Sequence, residues 1–476
     1  MFLRGIIKRG VPVGAGLSAA TCLGLGYCYR NSAVGAIVHA EEESDCKELL
    51  RGAVDKDDLD LVQVQVLFRH GARSNLWDYP GSEGTIWNQC GRKQILQPFP
   101  IMVQKEGGGP APLLSKVVQR QVDTVYQGGC HAGQLTDLGK LQSAALGVKL
   151  GSRYPSIVAA ISSDPSGIYV RSTNYPRTIE TAQYVLRGLA NDNWRQTITI
   201  NTVPSAEELM VGTNKKACPN LGEKFKEGRE YYARNTPAQA LKLRYQLQDS
   251  LSSAACSTLS VGNSKDDWKG NNLIPTNDAL KCLSAHGMPL PSWADHQLAK
   301  DAHSCAGTQI AYLMQKDGKD SSFRTEVSRL GIGRFLALIS SSMEDFITCK
   351  PESKTMKLYS GHDTTVLPVL ISYQLFNGTW PSFCSSIVWE LHRHKTTGNH
   401  YVRVLYDFKP MSLLPVTTSG IAQTGSSAFV PFDKFKALTN SLSPTDFESE
   451  CSVCCKPHVK EGESVVRQKD IDPGKF

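Results

Sequence analysis

"LVQVQVLFRHGAR", residues 61–73, sets the reading of the whole chain. Val62, Val64, Val66 and Phe68 alternate with Leu61, Gln63, Gln65 and Leu67, a period of two that predicts a β-strand buried on at least one side. The strand hands over at Gly71 to a turn that carries Arg69, His70 and Arg73. Cations crowded at a strand end ask for an anionic partner, because like charges repel and unpaired burial is costly.

Two further segments repeat the pattern. "GIYVRST" (167–173) is a short apolar strand whose last residue before the turn is Arg171, and it leads into "NYPRTIETAQYVLRGLA". There Ile179, Ala182, Val185, Leu186 and Leu189 recur at helical spacing, with Pro176 suited to a first turn. In "MKLYSGHDTTVLPVLISYQL" (356–375), "MKLYS" reads as a strand, Gly361 turns the chain and a helix is entered near Thr364, with His362 and Asp363 at the junction. Ligands of an open α/β sheet collect at the carboxyl ends of its strands, where helix amino termini favour anions. If the three strands are neighbours, their junctions meet in one pocket.

Arg69, Arg73 and Arg171 imply a multivalent anion, and guanidinium forks match phosphate oxygens bidentately. His70, kept neutral by cationic surroundings, is then a nucleophile able to attack phosphorus and form a phosphohistidine. Asp363 is the acid that protonates the leaving alkoxide, and as a carboxylate it activates the water that completes hydrolysis. No step calls for a metal or another cofactor, and there is no obvious carboxylate cluster to hold Mg²⁺.

The rest of the chain sets bounds. Its 476 residues carry a net charge of +7, of which the acid-free first 40 supply four through Arg4, Lys8, Arg9 and Arg30. The +3 left over is too weak to argue for nucleic acid as a partner. Residues 1–44, basic then Gly/Ala-rich, read as a targeting leader that suits mitochondrial import, with a secretory signal or a membrane anchor as the alternatives. Fourteen cysteines lack the paired spacing of a zinc site, and the CxxC in "CSVCC" (451–455) reads as a surface disulfide or free thiols.

Between the second and third junctions, residues 190–350 must leave the sheet and return. Their segments "GEKFKEGREYYARNTPAQALKLRYQLQDSL", "PSWADHQLAKDAHSCAGTQIAYLMQ" and "GIGRFLALISSSMEDFI" read as helices of a cap over the strand ends. In the last of these, Ile332, Phe335, Leu336, Ile339, Met343 and Phe346 make an apolar stripe read as helix core, not as a lipid-binding surface. The catalytic core is accordingly expected at 45–190 and 350–455, with "CSSIVWELHRH" and "HYVRVLYDF" as an antiparallel pair finishing the sheet at an edge and 456–476 as a disordered tail.

"VLFRHGARS", "GQLTDLG" (133–139), "YVRSTNYPRTIETA" and "YSGHDTTVLPVL" resemble, in order and spacing, the signature segments of the histidine acid phosphatase branch of the histidine phosphatase superfamily, over about residues 60–455. Segments such as "GGGPAPLLSK" (107–116) and "SAEELMVGTNKKACPNL" (205–221) resemble most the members that act on lysophosphatidic acid. The resemblance implies a phosphoglycerate-mutase-like three-layer α/β/α core with a mostly helical cap. It also implies His70 as nucleophile, Asp363 as proton donor, and Arg69, Arg73, Arg171 and His362 as the phosphate clamp. Thr136 and Arg177 would frame the site without touching substrate.

The implied partner is a small phosphomonoester, a lysophospholipid; separately, the leader offers membrane association, and the oligomeric state is left open by the sequence with a monomer favoured. A phytase-like or phosphoglycerate-mutase-like activity and a dead anion-binding module are the alternatives, the last disfavoured because His70 and Asp363 are both present. Asn75 departs from the family pattern, which has proline there, and its presence is expected to soften the loop after Arg73.

Overall fold

The computed structural model describes residues 58–452 apart from 92–95, 191–193, 195, 254–271, 319 and 414–428. The expected leader and tail lie outside the described residues. Among the described residues no helix is long and apolar enough to cross a membrane.

Among the described residues nine strands form one sheet: β1 (Leu59–Arg69), β2 (Ile101–Lys105), β3 (Ile168–Ser172), β4 (Ile198–Thr202), β5 (Met356–Gly361), β6 (Ser386–His394), β7 (His400–Tyr406), β8 (Lys409–Met411) and β9 (Phe429–Pro431). Their order is β2-β4-β3-β5-β1-β6-β7-β8, with β9 also paired to β7. β1 to β5 run parallel, and β6 pairs antiparallel with β1 and with β7. The three strands singled out in the sequence, β3, β5 and β1, are therefore adjacent, with their carboxyl ends at one rim. β7 is not the edge, since β8 and β9 continue the sheet beyond it.

The alternation in β1 is broken once. The register against β6 shifts between Leu61 and Gln63, a bulge that sends Leu61 to the face shared by Val64, Val66 and Phe68 and Val62 to the other. Gln63 and Gln65 are buried, and their amides donate to the carbonyls of Ser342, Lys354 and Ile339. A strand covered on both faces can hold two glutamines because every amide donor meets a carbonyl.

Two helical layers enclose the sheet. On one face lie α2 (Asp137–Arg153), α3 (Pro155–Ser163) and α4 (Pro176–Leu189), packed through Leu150, Ile161, Val185 and Leu186 onto Val64, Val66, Val170 and Leu358. On the other lie α10 (Gly333–Ile347), α11 (Asp363–Ser372) and α12 (Phe432–Ser441), packed through Phe335, Ile339, Val366 and Phe435 onto Leu67, Tyr359 and Trp389. The apolar stripe of residues 332–346 is thus core, but it faces the sheet and not a cap. β4 also lies beyond the expected core boundary at 190 while sitting inside the sheet. Periodicity showed that α10 has a buried face; it did not show what the face meets.

The helical cap comprises α5 (Pro219–Arg234), α6 (Ala238–Ser253), α7 (Ile274–Ala285), α8 (His296–Gln315) and α9 (Ser321–Gly331), and a short α1 (Lys116–Asp123) lies outside it. Asp295 and Asp320 cap α8 and α9 by accepting from the N–H groups of Leu298 and Phe323. Cys218, next to α5, is bonded to Cys451 in α13 (Phe447–Cys451), and Cys90 to Cys130. Cys451 of the "CSVCC" run is therefore half of a buried disulfide, not a surface one.

Candidate active site

β1 ends in Arg69 and His70, and β5 leads into His362 and Asp363, so parallel pairing brings both junctions to one place. The rings of His70 and His362 sit 5.5 Å apart, edge to face. His70 is buried, with Nδ1 2.8 Å from the Gly71 carbonyl oxygen. A carbonyl only accepts, so Nδ1 carries the proton and Nε2 keeps its lone pair. Burial, and then the charges of Arg177, Arg69, Arg73 and His362, hold the His70 imidazole well below its ordinary pKa. Both effects favour the neutral imidazole.

The turn that presents His70 has no slack. A Cβ on Gly71 would lie 2.4 Å from the Gly139 carbonyl oxygen, and one on Gly139 would lie 2.1 Å from that of Ala72. The first turn of α2 therefore packs backbone to backbone on this loop. Thr136 caps that helix through the Gly139 N–H and donates to the Ala72 carbonyl at 3.1 Å.

Arg69 is fixed by three contacts. Its Nη2 lies 2.8 Å from Asp363 Oδ2, its Nη1 donates to the Pro381 carbonyl at 2.6 Å, and the guanidinium lies 4.4 Å over Phe383. Asp363 opens α11, where the helix amino terminus favours its charge. Oδ1 accepts from the Thr364 N–H at 2.8 Å and Oδ2 from Trp380 Nε1 at 3.1 Å. Burial pushes this carboxyl up, but Arg69, Arg73, His362 and Trp380 together outweigh it and hold the group below its usual range. In the resting enzyme Asp363 is ionised. His362 places Nε2 2.9 Å from Thr173 Oγ1, and burial followed by Arg177 holds it well below its ordinary value.

Arg73 reaches the cap. Its Nη2 meets Asp278 of α7 at 2.6 Å, and its Nη1 meets the Ser74 carbonyl at 3.1 Å and Cys282 Sγ at 3.4 Å. The loop behind it is pinned, contrary to the softening expected from Asn75. The Gly133 N–H donates to the Asn75 carbonyl at 2.7 Å, the Ser74 N–H to that of Gln134 at 3.0 Å, and Arg73 bridges Leu135. These bonds give the loop the rigidity that a proline ring would supply elsewhere.

Arg171 does not join this group. It lies within β3, where Nη2 is 3.3 Å from the buried Glu208 and Nη1 3.7 Å from Glu106. Two carboxylates neutralise it, whereas Arg177, Arg69 and Arg73 lead the charges that lower the His70 pKa. Arg177, expected only to frame the site, leads the charges acting on His70. It lies in the first turn of α4, stacked 4.6 Å over Tyr175 and bonded to Gln121 Oε1 at 3.1 Å. Among the described residues it has no ion pair. Burial, then the charge of Arg73, lower its pKa to about 10. The Nε–H groups of Arg69, Arg73 and Arg177 are all buried without an acceptor. Donors left like this cost free energy until an anion completes them.

The approach of Arg177 to His70 and the contacts of Asp278 with Arg73 and of Trp380 with Asp363 were not foreseen. Only Arg177 had a legible signal, because Pro176 at the start of α4 puts the next residue in the turn that faces the strand ends.

A buried neutral histidine among guanidinium groups that each keep a buried donor without an acceptor, at the carboxyl ends of parallel strands, defines a class: enzymes that handle phosphate esters. The profile of the histidine phosphatase superfamily (branch 2) matches residues 60–407, and the chain belongs to that family. It is a phosphoric monoester hydrolase. Lysophosphatidic acid phosphatase type 6 of Homo sapiens is 26% identical over 90% of this chain and 93% of its own length. The Mus musculus protein of that name is 28% identical over 93% and 97%. Lysosomal acid phosphatase of Homo sapiens is 27% identical over 68% and 74%. Among solved structures, the phytase of Hafnia alvei superposes with a TM-score of 0.53 at 15% identity, covering 84% of this chain and 100% of that one. That likeness establishes the fold.

Proposed function

We propose that the enzyme hydrolyses lysophosphatidic acid to monoacylglycerol and phosphate through a phosphohistidine on His70, without a metal. The observation that carries the mechanism is the pairing of a neutral His70, its Nδ1 tied to Gly71, with the ion-pair-free Arg177. Arg69, Arg73 and Arg177 hold the phosphoryl oxygens in place of the clamp expected around Arg171, and His362 adds a polar contact. His70 Nε2 attacks phosphorus, the ester P–O bond breaks, and the departing alkoxide takes a proton from Asp363. Water then attacks the phosphohistidine, the P–N bond breaks, and the Asp363 carboxylate takes the proton of the water.

The proton must come from somewhere, because Asp363 is ionised at rest. A substrate monoanion can bring it: a phosphate monoester has its second pKa near 6, roughly. In mild acid the substrate arrives with the proton while His70 is still neutral, which accounts for acid phosphatase activity. Above about pH 6, kcat/KM falls as the substrate dianion replaces the monoanion.

The choice of lysophosphatidic acid is supported by the curated relatives that carry that substrate in their name and span 93% and 97% of their own length in the comparison. Phosphate release from lysophosphatidic acid of several chain lengths, an aryl phosphate and phytate tests it. The reading expects the highest kcat/KM on a lysophosphatidic acid; a higher value on phytate overturns it.

A further inference from the structure

A second buried charged cluster lies at the other end of the sheet from His70. Glu390 of β6 faces Arg403 of β7 across the ladder, and His392, two residues on, shares that face. Arg153 and Tyr154, where α2 passes into α3, close over them. Glu390 is 1% exposed and uses both oxygens. Oε1 accepts from Tyr154 Oη at 2.8 Å and from Arg153 Nε and Nη2 at 3.3 Å. Oε2 accepts from Arg403 Nε at 2.5 Å and lies 3.2 Å from His392 Nε2.

The carboxylate is spent and the cations are not. Among the described residues Arg403 donates through Nε alone, which leaves both Nη groups, and Arg153 keeps Nη1. His392 is 7% exposed and its Nδ1 is buried without a partner. One carboxylate against two guanidinium groups leaves a net positive charge around a half-open cavity, and among the described residues the one buried donor or acceptor atom left without a partner there is His392 Nδ1; an anion would balance the charge. These side chains line a cavity of about 360 Å³ whose remaining wall is apolar, including Leu61 and Phe429. The volume is at the lower end of what small-molecule sites occupy, roughly 300–1,000 Å³.

We propose that this cavity is a second oxyanion site, taking a phosphate group either free or at the head of an aliphatic chain, with the guanidinium forks on its oxygens and the apolar wall beside its substituent. The site is separate from catalysis. Val64, across from Glu390, and Leu61, across from His392, come six and nine residues before His70, which at roughly 3.3 Å per residue puts the cluster about 20–30 Å from it. The proposal therefore stands or falls independently of the catalytic reading.

Equilibrium dialysis of the full-length enzyme against radiolabelled inorganic phosphate tests it. Two phosphates per chain are expected in the wild type. Arg403→Lys keeps a charge for Glu390 but loses the spare donors, and is expected to bind one phosphate, weakened at least tenfold at the other site, with unchanged kcat/KM. Arg73→Ala should lose the catalytic phosphate instead. If Arg403→Lys does not fold, a crystal of the wild type soaked in tungstate reads the same point through density in the cavity. Octylphosphonate, which is not hydrolysed, separates the sources: tighter binding than phosphate at the Arg403-dependent site assigns it to a lipid headgroup, and equal binding to free phosphate. A single phosphate per wild-type chain, lost in Arg73→Ala, or an empty cavity in the soaked crystal, overturns the proposal.

Discussion

Arg171 and Arg177 are six positions apart in one motif, yet the structure gives them opposite surroundings. Arg171 is held by Glu208 and Glu106, whereas Arg177 has a glutamine, a tyrosine ring and, among the described residues, no ion-paired carboxylate. Arg177→Ala is expected to lower kcat/KM by about 10²–10³, the usual loss for one transition-state donor, with little change in melting temperature. Arg171→Ala should do the reverse, because it leaves Glu208 buried and unpaired at a cost of about 3–5 kcal/mol. Thermal unfolding alongside steady-state kinetics separates the two. Asp363→Asn is expected to slow alkyl phosphate hydrolysis far more than aryl phosphate hydrolysis, since a phenolate leaves with less protonation; equal losses on both would remove Asp363 from the role of acid. Arg69, His70, Arg73, His362 and Asp363 were legible because each ends an apolar strand or lies one turn beyond it. Choosing between the two arginines of "YVRSTNYPRT" needed something a string does not show, namely Glu208 arriving from 37 positions away.

Helix α7 links the cap to the catalytic loop through the pair of Arg73 and Asp278, which are 205 positions apart. Nothing in "NDALKC" marks Asp278 as different from any exposed helical acid, so the contact was not legible. The neighbouring Lys281 is half-buried, and burial and then the charge of Arg69 lower its ammonium pKa. Losing the charged bond in Asp278→Ala is expected to cost about 1.5–3 kcal/mol in the alignment of Arg73, or roughly 10- to 100-fold in kcat/KM. Asp278→Glu should recover part of it. A loss of stability with unchanged kcat/KM would make Asp278 a structural residue only. The same limit on legibility applies to α10: its stripe predicted a buried helix, while its position on Tyr359 and Trp389 depended on the sheet being there.

At the scale of the whole molecule, the Cys218–Cys451 disulfide joins residues 233 positions apart and ties the start of the cap to the end of the core. Cysteine counting could not predict that connectivity, because spacing along the chain says little about distance across a fold. Cys218→Ser is expected to lose about 2–4 kcal/mol of stability, measured by denaturant unfolding, and with Cys90–Cys130 the bond suits maturation in an oxidising compartment. His70 and His362 are buried neutral, so the unfolded chain binds protons that the folded one does not; stability is full above about pH 6.5 and is lost as pH falls toward the lower folded values. The sheet, its two helical layers and the cap all converge on one imidazole nitrogen. Rapid quench of the intact enzyme during turnover of a labelled phosphomonoester, followed by peptide mapping under alkaline conditions, tests that convergence most directly. The account predicts acid-labile, alkali-stable phosphate on His70 and none in His70→Ala, whereas full turnover with no label on His70, or near-normal activity in His70→Ala, would contradict it.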